Sequence, residues 1–202
     1  MTTPVAGGLA QELAATVDEL RRMTVQVRTG GAASGAGVLW SAGGSENGGL
    51  IITNAHVVRG NQATIELSDG TAVRARVVAR DRKRDLAALE FEPYRSMVAA
   101  AVRGSPRLRV GELVIAIGHP GGLVGVATLG IIHAVESEGE GRTPRWIRAD
   151  MRLAPGFSGG PLADTTGRLV GVNTMMQGGL ALAVPAAAVE AWVRRAHALA
   201  AP

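Results

Sequence analysis

Three short segments carry residue types that together can perform nucleophilic catalysis. In Thr53-Asn54-Ala55-His56-Val57-Val58 a histidine stands at the end of an apolar strand. In 81–89 (DRKRDLAAL) Asp85 opens a strand of buried character. In Pro155-Gly156-Phe157-Ser158-Gly159-Gly160-Pro161-Leu162 a serine sits in a tight glycine turn. Any one of these is weak alone: a lone histidine is usually structural, and an aspartate before a strand is usually a turn residue. Together they supply a nucleophile, a base and an orienting carboxylate. A serine hydroxyl hardly ionises at neutral pH and needs a base beside it. Histidine, with an unperturbed pKa of ~6.5, can take that proton and return it to a leaving group. A buried carboxylate fixes the imidazole tautomer and stabilises the imidazolium. The glycines let the backbone turn tightly enough for the Gly156 and Ser158 amides to aim at one point as an oxyanion hole.

The elements that must position these residues are mostly strands. The chain has 202 residues, enough for one compact unit or two closely packed halves. Its 28 Gly and nine Pro punctuate many short β-branched runs. Strands are predicted over 24–29, 37–41, 50–53, 63–67, 72–79, 86–90, 112–117, 124–135, 146–149, 161–163, 169–175 and 181–184, with Asp69-Gly70 marking a hairpin. That rhythm suits an all-β sandwich or barrel. Only the ends read as helical. Leu9, Leu13, Val17 and Leu20 share one face, and after Pro185 so do Val189, Trp192, Val193 and Ala196. Both helices are expected to pack on the β body. The stretch 93–109 is the expected crossing between two β halves, and no internal repeat is visible.

Composition excludes several function classes. A 47% hydrophobic and 19% charged chain is a folded globular protein, and no apolar run approaches the ~18 residues of a membrane-spanning helix. The net charge of +4 comes from scattered arginines, with Lys83 the one lysine, and aromatics make up 3%. Neither a basic stripe nor a base-stacking platform for nucleic acid results. Zero cysteines excludes disulfides and thiolate chemistry. The first residues, MTTPVAGGLAQEL, show no basic start followed by an apolar block, so a cytoplasmic location is expected. His119, in a turn, reads as structural, and His133 in a strand and His197 in the last helix have no carboxylate pattern around them, so no metal site and no cofactor are expected.

TNAHVV, DLAALE and PGFSGGPL, in that order and at intervals of 29 and 73 residues, resemble the trypsin-like serine proteases, specifically the HtrA branch. Supporting matches are Ser34-Gly35-Ala36-Gly37-Val38, Ile117-Gly118-His119-Pro120-Gly121, Gly171-Val172-Asn173-Thr174 and Ala181-Leu182-Ala183-Val184-Pro185. The resemblance implies two six-stranded antiparallel Greek-key β-barrels of chymotrypsin type with short terminal helices. The helices would cover 9–23 and about 186–200, the barrels about 24–92 and about 110–185, in a single peptidase domain. It implies a triad of His56, Asp85 and Ser158, an oxyanion hole from Gly156 and Ser158, and an S1 pocket walled by Leu153, Thr174, Met175 and Ala181. Leu153 and Met175-Met176 would favour Val, Ala, Leu or Met at P1; Arg152 pointing inward would favour an acidic residue instead. The chain stops about seventeen residues past Pro185, so a protease domain without a PDZ module is expected. The segment before Val25 lacks the aromatics that hold the branch's trimers, which leaves oligomeric state open. With Phe157 where an acid would be needed, activation by capture of a freed N-terminal amine is excluded.

The function implied is a serine endopeptidase cleaving unfolded or exposed protein segments. The alternative is a latent protease-fold sensor, active only when a protein or peptide activator orders the oxyanion hole. It rests on a glycine-flanked turn with few side chains to pin it, and on 137–148 (SEGEGRTPRWIR) read as an unstructured loop where the branch senses activators. A triad esterase fits poorly, because its serine belongs on a nucleophile elbow in an α/β sheet.

Overall fold

A computed structural model describes residues 5–30, 32–40, 49–92, 97, 99–103, 108–138 and 143–200. Helix α1 (Val5–Met23) leads into six strands: β1 (Thr24–Thr29), β2 (Ala32–Trp40), β3 (Gly49–Thr53), β4 (Gln62–Glu66), β5 (Ala72–Asp81) and β6 (Leu86–Phe91). Six more follow: β7 (Leu113–Gly118), β8 (Val126–Glu138), β9 (Thr143–Asp150), β10 (Pro161–Asp164), β11 (Leu169–Gln177) and β12 (Leu180–Pro185). A 3₁₀ turn (Pro120–Gly122) precedes β8, and helix α2 (Ala186–Ala200) closes the chain.

Each set of six closes into an antiparallel barrel, in the order β1-β2-β3-β6-β5-β4 and β7-β8-β9-β12-β11-β10. The two orders are the same, and in each the fourth strand returns beside the first, which is the Greek-key arrangement. The expected pair of six-stranded barrels is therefore the observed one, and the halves share a topology although their sequences show no repeat. Closure leaves no open edge strand and lets alternate residues point inward. β4 shows this in its burial, with Ala63 and Ile65 inside while Gln62 and Thr64 face out. The Asp69-Gly70 hairpin forms as read: Gly70 takes a φ of 83°, Leu67 donates to the Thr71 carbonyl, and the Asp69 carboxylate accepts from the Thr71 amide.

One apolar cluster fills the first barrel and continues through Ile115, Ile117, Leu169 and Val184 to Val189, Trp192 and Val193 of α2. A second, around Ile132, Ile147, Phe157 and Leu162, fills the other barrel. Both helices are thus part of the folded body. In α1, Leu13, Val17, Leu20 and Met23 pack inward, but Leu9 is exposed, so the first turn of the predicted apolar face lacks a surface to cover. Between the barrels, Ala100 donates its amide to the Leu39 carbonyl and Arg103 donates to that of Leu169, so the crossing segment is bonded to both halves. The rest of the crossing, at 93–96, 98 and 104–107, lies outside the described residues.

The reading of 137–148 as an unstructured loop is corrected. Ser137 pairs with Pro144 and Glu136 with Trp146 in the β8–β9 ladder, and residues 139–142 lie outside the described residues. Arg148 holds the hairpin to its neighbours through Glu136 and, at 2.9 Å, the Gln177 side-chain oxygen. Among the described residues of that stretch, the polar side chains that suggested a loop stand on paired strands.

Candidate active site

His56 is delivered by the turn that ends β3. Asn54, Val57 and Val58 are buried and anchor that turn, while His56 itself points outward with its side chain 48% exposed. Asp85 sits one residue before β6, at a φ of 56°, the one positive value among the described non-glycine residues. Aspartate tolerates this left-handed region better than most side chains. The strained backbone is held from both sides, because the Asp85 carbonyl accepts from the Ala55 amide at 3.1 Å and the Asn54 side-chain amide at 2.8 Å. So secured, its carboxylate meets His56 twice: Oδ2 lies 2.6 Å from Nδ1, and Oδ1 accepts the His56 backbone N–H at 3.0 Å.

Thr174 completes the carboxylate's shell by donating its hydroxyl to Oδ2 at 2.6 Å. Burial acts to raise the Asp85 pKa, but the donors from the His56 ring, the Thr174 hydroxyl and the His56 amide outweigh it and hold the group below its ordinary value. The folded state therefore favours the carboxylate. That stabilisation is present above the ordinary aspartate pKa and is lost as pH falls through the lower folded value.

Ser158 lies in the turn before β10, where two barrels meet: its carbonyl accepts the Ala36 amide from β2 at 2.8 Å. Its hydroxyl donates to the Thr174 carbonyl at 2.8 Å and not to His56. Serine and aspartate are thus linked through the two ends of one threonine. The backbone around Ser158 is firmly held. Phe157 donates to the Ala154 carbonyl, Gly159 to Asn173, Gly160 to Phe157, and the Gly156 carbonyl accepts from the His119 amide. Among the described residues the Gly156 and Ser158 amides have no acceptor, while those of Phe157, Gly159 and Gly160 each have one.

The conformation of Gly156 decides how this turn presents its amides. Its φ of 113°, with Pro155 before it and the Phe157-to-Ala154 bond across it, is the pattern of a type II turn. A flipped Pro155–Gly156 peptide corresponds to a type I turn, with negative φ at the same residue. Phe157 is 4% exposed and lies in the core of the second barrel. The premise of a loosely held, glycine-flanked turn is thereby corrected, because the packed Phe157 side chain anchors it.

The residues expected to wall S1 separate into two groups. Leu153 is half-buried against the second-barrel core, and Met175 is 47% exposed at the end of β11. Thr174 and Ala181 are buried. Thr174 faces Asp85, so its hydroxyl serves the carboxylate. That pairing, across 89 residues, leaves no local signal in the sequence, and neither does the grip of Asn54 on the Asp85 carbonyl. Arg152 is exposed, His133 likewise, and the His197 side chain lies outside the described residues.

The model of the trypsin-like peptidase domain matches residues 19–172, which include both barrels as far as β11. The chain belongs to this family. It is 37% identical over 150 residues to a putative serine protease HhoA of Synechocystis sp., covering 69% of this chain and 38% of that protein. It is 36% identical over 146 residues to a probable periplasmic serine endoprotease, DegP-like, of Rhizobium meliloti, covering 68% and 29%. Human serine protease HTRA3 is 34% identical over 165 residues, covering 75% and 35%. The chain thus spans about a third of the length of these relatives, and the resemblance to the HtrA branch is upheld. The expected cytoplasmic location is not: the Rhizobium relative and a Bartonella henselae relative, 37% identical, are both named periplasmic. Compartment is set by targeting segments rather than by a folded barrel, and a lack of cysteines is compatible with either side of a membrane.

Proposed function

We propose that the chain is a serine endopeptidase that cleaves peptide bonds in unfolded or exposed protein segments through an acyl-enzyme. The observation that carries this reading is the doubly bonded His56–Asp85 pair, beside a serine whose turn leaves the Gly156 and Ser158 amides without acceptors. In the first step the Ser158 hydroxyl leaves the Thr174 carbonyl and turns to His56. Its oxygen attacks the peptide carbonyl carbon as Nε2 takes the proton. The negative oxygen of the tetrahedral intermediate accepts from the Gly156 and Ser158 amides. The C–N bond breaks, and the amine leaves with the proton from His56. Water then attacks the ester, giving its proton to His56, and the new carboxylate departs as Ser158 recovers its hydrogen. The Asp85 carboxylate holds Nδ1 protonated throughout, so that Nε2 is the free base.

Exposure of His56 suits extended, unfolded substrate rather than a small molecule enclosed in a cavity. Leu153 and Met175 supply apolar surface for a P1 residue such as Val, Ala, Leu or Met. The test is labelling with a fluorophosphonate followed by peptide mapping. Modification is expected at Ser158 and is expected to vanish in His56→Ala; an unmodified Ser158 in the native chain overturns the reading.

The oxyanion hole makes its own prediction. A Cβ on Gly156 would lie 2.6 Å from the His119 carbonyl oxygen and 2.7 Å from Pro120 Cα, on a backbone already at positive φ. Gly156→Ala must therefore displace the turn. The expected result is a kcat lower by ~10²–10³, the scale of losing one oxyanion donor. Steady-state kinetics on a peptide substrate check it, with KM changed far less than kcat.

A further inference from the structure

His119 is 5% exposed, and its two halves face different parts of the molecule. Its backbone amide donates to the Gly156 carbonyl at 3.0 Å, and its carbonyl occupies the space that a Cβ on Gly156 would need. The turn that presents the Gly156 amide therefore rests on the main chain of His119. Its imidazole points the other way. Nδ1 accepts the Gly125 amide at 3.2 Å, so it is Nε2 that carries the proton. Nε2 is buried without a hydrogen-bond partner among the described residues. The Gly125 carbonyl in turn accepts from Arg21 Nε of α1 at 2.7 Å. A run of contacts thus leads from α1 through Gly125 and His119 to Gly156.

Beside the imidazole lies a cleft of about 290 Å³, lined among others by Arg21, Thr24, Gln26, Glu66 and Gly125. The charged groups facing the ring are Arg21 from α1, itself paired with Asp18, and Glu66 from β4, paired with Arg28. β1 contributes the uncharged Thr24 and Gln26, and the Ala154–Gly160 turn contributes no titratable group. Glu66 favours an imidazolium there, but burial of the ring outweighs it.

We propose that neutral His119 is the positioning residue for the Gly156 turn, and that its protonation releases that turn. Protonation turns Nδ1 into a donor that confronts the Gly125 amide, also a donor. The bond is lost, the cation moves toward water, and the His119 main chain that holds the Gly156 carbonyl moves with it. Burial keeps the His119 pKa below the ordinary histidine value, against smaller opposing effects from the Val25 carbonyl and Glu66. The neutral, positioned form is therefore the resting one at neutral pH. As pH falls from the ordinary histidine value toward the lower folded value, the unfolded chain binds more protons and this contribution to stability disappears.

The catalytic half of this inference rests on the peptidase reading, and the coupling from His119 to Gly156 does not. Kinetics between about pH 5 and 8 test the first. His119→Phe, which cannot accept from Gly125, is expected to lower kcat on the order of tenfold at all these pH values, with KM little changed. His119→Asn places Oδ1 where Nδ1 stood, and is expected to recover most of that loss and to remove one proton from the acid limb of the kcat profile. An acid limb of the same order and midpoint in His119→Asn and the native chain overturns the proposal. Amide resonances in Ser158→Ala test the coupling without activity. Those of Gly125 and Gly156 are expected to titrate together with one midpoint below the ordinary histidine range, and to stop doing so when His119→Asn is added. A Gly156 resonance that ignores the Gly125 titration overturns the coupling even in an active peptidase. Joint titration in a chain that fluorophosphonate does not label leaves the coupling standing and removes the peptidase reading.

Discussion

Replacing Ser158 by alanine is expected to lower kcat for cleavage of an unfolded protein by ~10⁴–10⁶, the range for single removals from a working triad. The fold should survive this change. Ser158 and alanine share the same Cβ, and the hydroxyl makes one hydrogen bond, to the Thr174 carbonyl at 2.8 Å. The turn itself is held by backbone bonds that alanine keeps, including the Ala36 amide on the residue 158 carbonyl. Casein digestion and thermal unfolding, run on the same preparation, separate catalysis from stability. An alanine variant that digests casein at the native rate removes Ser158 as nucleophile. A large fall in melting temperature would instead mean that the hydroxyl is structural.

Asp85→Asn is expected to lower kcat by ~10⁴ near neutral pH. Asparagine is the most informative substitution here, because it tolerates the 56° φ that most residues avoid. The geometry of the turn should persist, and only charge and donor pattern change. The carboxylate now accepts three hydrogens, from His56 Nδ1, the His56 amide and the Thr174 hydroxyl. An asparagine amide has one oxygen, so one of its two positions must present NH₂. Placed toward Nδ1, that NH₂ donates to the imidazole and forces the ring proton onto Nε2, where the base should be free. Placed toward the His56 amide, it confronts another donor. That donor–donor contact disfavours the second placement, so the first prevails and the base is lost without an empty space being created. Fluorophosphonate labelling should slow in parallel with kcat, because both need Ser158 deprotonated during attack. Labelling at the native rate would show that Asp85 does not set the tautomer.

The twelve strands could be placed along the chain because barrel walls are written locally. Most are β-branched or apolar runs bounded by Gly, Asp, Asn or Pro. Where local signals misled, the reason is tertiary. The polar 137–148 segment reads as a loop, yet Arg148 is satisfied by Glu136 on the neighbouring strand and Gln177 on β11, partners invisible in a linear window. Leu9 completes an apolar helical face by spacing, but among the described residues no element covers it. The matching order of the two barrels is hidden for a related reason. Inward positions need only be apolar and of suitable size, so two halves can share a topology without sharing residues.

His56, Asp85 and Ser158 were legible because each lies in its own short motif, with the glycines, asparagine or valines that shape its turn directly beside it. What no motif carries is how the three are joined. The family resemblance makes Thr174 a pocket wall, and only the closure of both barrels brings its hydroxyl onto Asp85 and its carbonyl onto the Ser158 hydroxyl. Phe157 reads either as a missing polar anchor or as a side chain packed into the second barrel, and only the packed interior of that barrel decides for the second. The sequence by itself determined which side chains the proposed chemistry would use and what kind of element holds each, since turn geometry and strand alternation depend on near neighbours. The tertiary structure alone decided which donors hold the Asp85 carboxylate, where the Ser158 proton points and what supports Gly156, because each of those bonds joins segments that only barrel closure brings within reach.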